Sequence, residues 1–528
     1  MKNFFSKISS THLLWLLFYI FIFFLLLNNS FNYFDPDFGW HIKVGQEISI
    51  TGEVPSQNTY NYTYTGSWVD HEWLGNLWLY QAYESFGYIT ISIFFSLLVV
   101  AILAALSFLT LRRWPGISPS ILVIAQIAGL LAASPSLGVR LQEFGILFIL
   151  ITLIIIDNFE KYRRYWVLIL LPVVFYIWAL LHASFLLGLF LVFSWLVVKI
   201  IESFLLKTRA ASWLKAKNIL SKKETFLFSV SAILALVATA LTPYKLKLYS
   251  FLSGYSDNFY QTHIKEWLPQ HSFPLQYKQL IYLALVATVT LLYFKYVARK
   301  HKIDLWQMFL LLLFFILSWK ARRHFPLMFI VSFPYFVFMA SAFVNEDRII
   351  KTWRLQTWLK IYLIICLVLS SLSLALKTNF TADPFSAYCE SYPCGAVNYL
   401  ASHPEHDSQN LFNSYGWGGF LIWALPTRQL FIDGRLPQAE FAGGTFLEKY
   451  YDFFSEDTDR EILLAEHNID LVLIHAQDKP RQLRNWEKKF FQINDSDLAP
   501  QNNLRDYLNE AGWEKVYIDD TSVLYERP

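Results

Sequence analysis

Charge is what this 528-residue chain has least of: Asp, Glu, Lys and Arg together make up 16% of it, against roughly 25% in an ordinary soluble domain. That shortage excludes a fully hydrated globule. The net charge is only +3, and the basic residues fall in short separate clusters, which excludes a nucleic-acid footprint. No Gly-rich loop has the phosphate-cradling Walker spacing, and no cluster has structural-zinc spacing. Three cysteines cannot make a disulfide framework. Cys366 lies in an apolar run, so only Cys389 and Cys394, in a polar segment, could pair in an oxidising compartment, or remain two thiols. No internal repeat is visible. No small-residue cleavage site follows the first apolar stretch, from about Leu13 to Leu27, so a retained first span is expected.

What fills the chain instead is apolar surface: 55% of residues are hydrophobic and 18% aromatic. About eleven stretches are long enough to cross a bilayer roughly 30 Å thick, near 12–29, 89–111, 118–135, 143–158, 165–182, 184–206, 225–243, 278–297, 304–320, 325–344 and 358–377. The basic clusters Arg112–Arg113, Lys161–Arg164, Lys207–Lys223, Arg299–Lys302 and Arg348–Arg354 fall on alternate loops, which reads as cytoplasmic. With Lys2 and Lys7 also inside, an odd number of spans places the tail outside, together with the long first loop from Phe31 to Gly87. The expected class is a polytopic α-helical membrane protein of the cell (inner or plasma) membrane, with a transmembrane domain over 1–377 and a non-cytoplasmic α/β domain over 378–528. In the tail, Asn410–Asn413, Gln429–Ile432, Asp470–Ile474, Lys515–Ile518 and Ser522–Tyr525 read as strands, and Asp459–Glu466 as a helix.

The residues able to do chemistry gather on the outer side. The first outer loop opens Asp35-Pro36-Asp37-Phe38-Gly39-Trp40-His41, close enough to the first span to meet a lipid-borne substrate. Asp35 before Pro36 suits an N-cap and first helical position, and Asp37 and His41, four apart, then share a helix face. A carboxylate beside an imidazole can deprotonate an attacking hydroxyl; the same spacing also makes an ordinary surface pair. Asp70-His71-Glu72-Trp73 adds a second acid and imidazole. The other outer ends carry Arg140 and Gln142, His182, Glu266-Trp267, and Lys320 with Arg322-Arg323-His324. Basic residues on a short outer connection run against the positive-inside bias, and an anionic phosphate or pyrophosphate head group accounts for them, as does snorkelling to lipid phosphates. Histidines and carboxylates from different loops could hold a divalent ion such as Mg or Mn. Asp433-Gly434-Arg435 follows an apolar strand, where it could hold a ligand or form a structural pair.

Asp35 to His41, Gly45, Glu53-Val54-Pro55, Trp68 and Asp70 to Trp73 together resemble the first outer loop of a bacterial group of GT-C-fold membrane proteins described as dolichyl-phosphate-mannose-protein-mannosyltransferase-like. Trp178 to His182 with Gly188, Ala321 to His324, Asn413 to Gly419 and Phe431 to Arg435 are similar to the same group, so the resemblance covers nearly the whole chain. It implies a GT-C-like membrane domain, an acidic residue of the first outer loop as catalytic base, and a polyprenyl- or dolichyl-phosphate sugar as donor. Asp37 best matches the base and Asp35 is the second choice.

The expectation is therefore inverting transfer of a sugar from a lipid-linked donor to an extracytoplasmic protein, lipid or glycan. Asp37, Asp35, His41 and Glu72 are the candidate catalytic groups. Arg140, Arg322, Arg323, His324 and His182 would meet the donor phosphate, and His71, Asp70, Glu266, Asp433 and Arg435 would be acceptor-side or accessory. A ligase or polymerase using lipid-pyrophosphate glycans would lean on Arg322, Arg323 and His324 more than on Asp37. A transporter would place its charges near the bilayer midplane, whereas these spans hold theirs at the ends; a glycan-binding protein would work through the tail.

Overall fold

The computed structural model describes residues 10–32, 34–214, 219–254, 259–296, 303–346, 353–378, 388–441, 443–455, 458–477, 483–492 and 503–528. Lys2, Lys7, the Arg299–Lys302 cluster and most of Arg348–Arg354 lie outside them. The chain forms two compact units that do not follow its linear order: residues 1–33, 90–245 and 260–380 make one, and 34–89, 246–259 and 381–528 the other. A division at residue 377 leaves the second unit in two pieces.

The first unit is a helical bundle, as apolar runs without internal partners require in a bilayer. Among the described residues eight helices are long and apolar enough to cross a membrane: His12–Asn32, Trp73–Arg113, Pro119–Ser136, Gln142–Tyr162, Phe185–Leu205, Tyr277–Tyr296, Arg322–Ala342 and Trp358–Lys377. Two shorter apolar helices, Tyr165–Leu181 and Leu305–Lys320, and Lys222–Thr239 with its charged first turn, stand where the other three spans are expected. The protein is a multi-pass membrane protein. The helix Arg322–Ala342 is its centre, 78% of its most apolar window being buried, against 17% for Trp358–Lys377 at the periphery.

Helix ends follow their local chemistry. Ser221 and Glu224 form a capping box at the start of Lys222–Thr239, Asp304 accepts the Gln307 amide at the start of Leu305–Lys320, and Arg163 closes Gln142–Tyr162 in the left-handed conformation. Gly87, at φ 72° and ψ 172°, divides Trp73–Arg113 into two helices. The segment before it belongs to the second unit and most of that after it to the first.

In the second unit the tail builds a four-stranded sheet from β1 (Leu411–Asn413), β4 (Leu471–His475), β5 (Glu514–Ile518) and β6 (Ser522–Glu526), in the order β1-β4-β6-β5. β2 (Glu440–Phe441) and β3 (Gly444–Thr445) form a separate small hairpin. β1 runs parallel to β4, with Leu411 opposite Leu471, and β4 antiparallel to β6, with Leu473 opposite Leu524. Residues Leu471–Ile474 are fully buried, which is why that stretch reads as an unbroken apolar run rather than an alternating one.

Four of the five expected strands are present. The fifth, Gln429–Ile432, makes only isolated bridges, Leu430 pairing with Leu411 and with Asn61. The Leu430 amide donates to the Tyr60 carbonyl at 2.8 Å, and the Phe431 amide to the Leu411 carbonyl at 3.2 Å. Its hydrogen bonds are divided between the sheet and the first outer loop, so no ladder extends.

Candidate functional site

The first outer loop is built onto the tail by close backbone contact. The helix Phe38–Thr51 meets Gly418–Ala424 at Gly39 and Gly419: a Cβ on Gly39 would collide with the Gly419 carbonyl, and one on Gly419 with the Pro36 carbonyl. Asp37 sits at the start of this crossing. It occupies the N-cap position of Phe38–Thr51 without a side-chain cap bond, and its Oδ1 accepts the Trp40 indole N–H at 2.9 Å. A Cβ on Gly434 would lie only 2.7 Å from that same oxygen. The Asp37 carboxylate is thus oriented by an indole and faced by a residue with no side chain, and it remains half-exposed.

Asp35 does not cap the helix. Its Oδ1 accepts the Asp37 amide at 3.1 Å, closing a local turn ahead of the helix that starts at Phe38. The helix consequently begins about two residues later than the Asp-Pro pair suggests.

His41 is buried and bound to a residue that sequence reasoning missed. Asn76 donates its amide hydrogens to both oxygens of Asp70, at 2.9 and 2.8 Å, so its carbonyl oxygen must accept. His41 Nδ1, 2.5 Å away, then carries the hydrogen, and Nε2 stands 4.0 Å from Glu72. Glu72 in turn lies 3.5 Å from His71 Nε2. Burial raises Asp70 from 3.8 to about 6. It lowers His41 despite the opposing charge of Glu72. His71 rises, because the charge of Glu72 and its hydrogen bond outweigh burial. Asp70, Asn76, His41 and Glu72 form one buried chain that ends on the partly exposed His71. Asn76 lies one helical turn beyond Glu72, and that spacing was the only sequence signal for it.

Asp433 and Arg435 are buried together. Arg435 Nε and Nη2 reach the two Asp433 oxygens at 2.9 and 2.7 Å, a bidentate pair. Nη2 also donates to Asn58 at 3.0 Å and Asn61 at 3.3 Å, and the guanidinium lies over the rings of Tyr60 and Trp68, 4.3 and 4.6 Å from their centroids. This pair locks the first outer loop to the tail. Gly434 between them borders Asp37, so the same turn serves both. Cys389 and Cys394 are joined in a disulfide.

The cations expected on the outer side form a second cluster. Glu266 bridges Arg323 at 3.3 Å and Arg140 at 3.7 Å, and Arg323 stacks on Trp267, 4.2 Å from the ring centroid. Burial alone would raise Glu266, but the charges of Arg323, Arg140 and His324 outweigh it and hold the carboxyl below its usual range. The connection is strapped to the loop before Ser272: the Arg323 amide donates to the Glu266 carbonyl at 2.8 Å, the Arg322 amide to Leu268 at 3.2 Å, and the Arg322 side chain to the Ser272 carbonyl. Arg322 is buried, whereas Arg140 and Arg323 are about a quarter exposed. His182, just past Leu170–Leu181, accepts the Ser184 amide at Nδ1, 3.0 Å, and Ser184 Oγ lies 2.7 Å from the same nitrogen. Among the described residues no group of three or more His, Cys, Asp or Glu is arranged to hold a metal.

No family model and no curated protein sequence matches the chain. Solved structures do. The oligosaccharyltransferase of Archaeoglobus fulgidus tethered to an acceptor peptide with the NVT sequon is similar over 100% of this chain and 75% of its own, at TM-score 0.55 and 11% identity. The same organism's oligosaccharyltransferase AglB, in complex with an inhibitory peptide and a dolichol-phosphate, covers 99% and 75%, at TM-score 0.53 and 11% identity. Its apo form covers 89% and 70%, at TM-score 0.52 and 10% identity. The fold is GT-C. Asp37 lies in the segment between the first two candidate spans. A helical membrane domain and a sheet-bearing tail agree with the class expected from sequence, while eight helices among the described residues, not eleven, meet the length and hydropathy of a span.

Proposed function

We propose that this protein is a membrane glycosyltransferase that moves a sugar from a polyprenyl- or dolichyl-phosphate carrier to an acceptor outside the cytoplasm. One observation carries the proposal: a half-exposed carboxylate, Asp37, held by Trp40 in the first outer loop of a GT-C fold. In the reaction Asp37 takes the proton of the acceptor, the acceptor atom attacks the anomeric carbon with inversion, and the sugar–phosphate C–O bond breaks with its electron pair going to the lipid phosphate. Arg140 and Arg323 meet that phosphate's charge, and Glu266 holds them in place. The neutral His41 and its hydrogen-bonded chain to Asp70 keep the loop's geometry. A lipid-linked donor and a peptide-like acceptor are supported by the dolichol-phosphate and acceptor peptide bound to the archaeal proteins of this fold. The disulfide supports an extracytoplasmic position for the unit containing the tail and the first loop.

Mass spectrometry of lipid-linked sugars in cells lacking the protein tests this: the donor should accumulate, and wild type should relieve the accumulation. Asp37→Asn, expressed at wild-type level, should lower turnover by about 10²–10⁴. Near-normal turnover would sink the assignment of the base. A second reading, block transfer of a lipid-pyrophosphate glycan, is favoured by the paired arginines around Glu266. It requires that Arg323→Ala be more damaging than Asp37→Asn.

A further inference from the structure

The tail is acidic almost throughout. From residue 378 to the end it has twice as many acidic as basic residues, a balance that an anionic bilayer surface repels. Its basic residues are not spread evenly. Lys479, Arg481, Arg484, Lys488 and Lys489 crowd into one run that also holds Trp486 and ends on Phe490 and Phe491. Lys479 and Arg481 lie outside the described residues. The run is a basic and aromatic island in an acidic segment.

The structure turns this island outward. Leu483 is buried and pins the run to the tail. The helix Asn485–Phe491 follows, and Trp486 and Phe490, four apart, share a face of it. Trp486 is 49% exposed, Phe490 76% and Phe491 36%. In the described part of the tail the only other exposed large apolar side chains are Ile462 and Ile518, each single in its element, as on an ordinary surface. The Phe490 and Phe491 rings meet at 4.9 Å and Phe491 lies 6.4 Å from Trp486, so the three aromatics make one patch. The charge beside it is of one sign. Arg484 and Lys489 are exposed and Lys488 is half-buried. Glu487, the one acid between Lys479 and Phe491, is buried and accepts the Arg484 amide at 2.6 Å, capping its own helix instead of facing solvent.

Rings beside lysine and arginine suit the head-group level of a bilayer, where the rings bury and the cations meet lipid phosphates. The helical unit already holds the chain at a membrane, so even a weak contact is populated. We propose that Trp486, Phe490 and Phe491, with Arg484, Lys488 and Lys489, form a peripheral anchor that lays the tail on the surface of an anionic bilayer. The rings enter the interface, the cations hold lipid phosphates, and the acidic remainder of the tail is kept off the surface by its charge.

The test uses the full-length protein. Phe490→Cys, in a chain where Cys366→Ser removes the free thiol, is labelled with an apolar nitroxide and reconstituted in nanodiscs rich in phosphatidylglycerol. The label should be reached by oxygen dissolved in the bilayer and shielded from a water-soluble nickel chelate, whereas a label at Ile518→Cys should show the reverse. Lys488→Gln with Lys489→Gln should lower the ratio of bilayer-held to free label about 25-fold, roughly fivefold for each charge, and molar salt or discs of phosphatidylcholine alone should lower it as well. A label at 490 as open to nickel as one at 518, or shielding at both positions, would overturn the proposal. Shielding at 490 that survives both the glutamine pair and phosphatidylcholine discs would overturn it too, because protein rather than lipid would then cover the patch. None of these readouts depends on glycosyl transfer.

Discussion

Replacing Gly434 by Ala adds one methyl group aimed at Asp37. The new Cβ would stand 2.7 Å from Asp37 Oδ1, where ordinary contact is 3.4 Å or more, so the carboxylate has to retreat by about 0.7 Å. Gly434 does not have positive φ, so alanine fits its backbone. The carboxylate is the end of a half-exposed side chain, and the retreat costs the fold little. It does cost the geometry: the 2.9 Å bond from Trp40 stretches beyond hydrogen-bond range. Because an error of about 1 Å in a reacting group costs on the order of 10²-fold in rate, Gly434→Ala should slow turnover about 10- to 100-fold with a nearly unchanged melting temperature. Gly39→Ala is the control, since its methyl meets the backbone of Gly419 and should lower the melting temperature instead. Lipid-linked donor turnover in cells and thermal unfolding of the purified variants are the two measurements. Wild-type turnover by Gly434→Ala, or a loss explained entirely by unfolding, would refute the placement of Asp37 as the base.

Arg435→Met should destabilise the second unit by about 3–5 kcal/mol, because it strands the buried Asp433 carboxylate, and denaturant unfolding will show it; Asp433→Leu in the same chain should recover much of the loss. Asp70, raised from 3.8 to about 6 by burial, binds its proton more tightly when folded. Its contribution to stability is therefore complete below pH 3.8 and lost as pH rises through 6, by about 2–3 kcal/mol at roughly 1.4 kcal/mol per decade. Asp70→Asn should remove that slope in a pH series of unfolding curves. Reduction of the Cys389–Cys394 disulfide closes no long loop, the two being 5 apart, and should cost only about 2 kcal/mol, read as the shift in unfolding on adding a reductant.

The bundle was legible because bilayer solvent writes itself into composition: each expected span coincides with a helix, although three of those helices are too short or too charged at one end to qualify as crossings on their own. Strands β1, β4, β5 and β6 were legible from short stretches of apolar and β-branched residues set between polar segments. Gln429–Ile432 carries the same apolar signature yet forms no ladder, because its hydrogen bonds are divided between Leu411 and first-loop residues about 370 positions away, which no local pattern announces. The individual residues of the site were visible as types, but their roles depend on neighbours brought in by folding. Asp433-Gly434-Arg435 suggested either ligand binding or a structural pair; only Asn58, Tyr60, Asn61 and Trp68 around Arg435 show the lock. Asn76 is the sharpest omission. An amide does not titrate and so attracts no attention in a search for acids and bases, yet it fixes the tautomer of His41.

The division of the second unit among three separate stretches of chain also bears on how the protein is made. The loop bearing Asp37 emerges early, but Leu430 and Arg435, which hold it, follow about 370 residues later. At 5–20 residues per second the wait is on the order of tens of seconds. Throughout it, Trp68, Asn58 and Asn61 lack the guanidinium they close around. An interrupted chain would carry every residue of the carboxylate loop and none of its support, so truncation of the tail alone should disarm the loop. Completion of synthesis thereby becomes a precondition for the loop's geometry, one that an interrupted chain never meets.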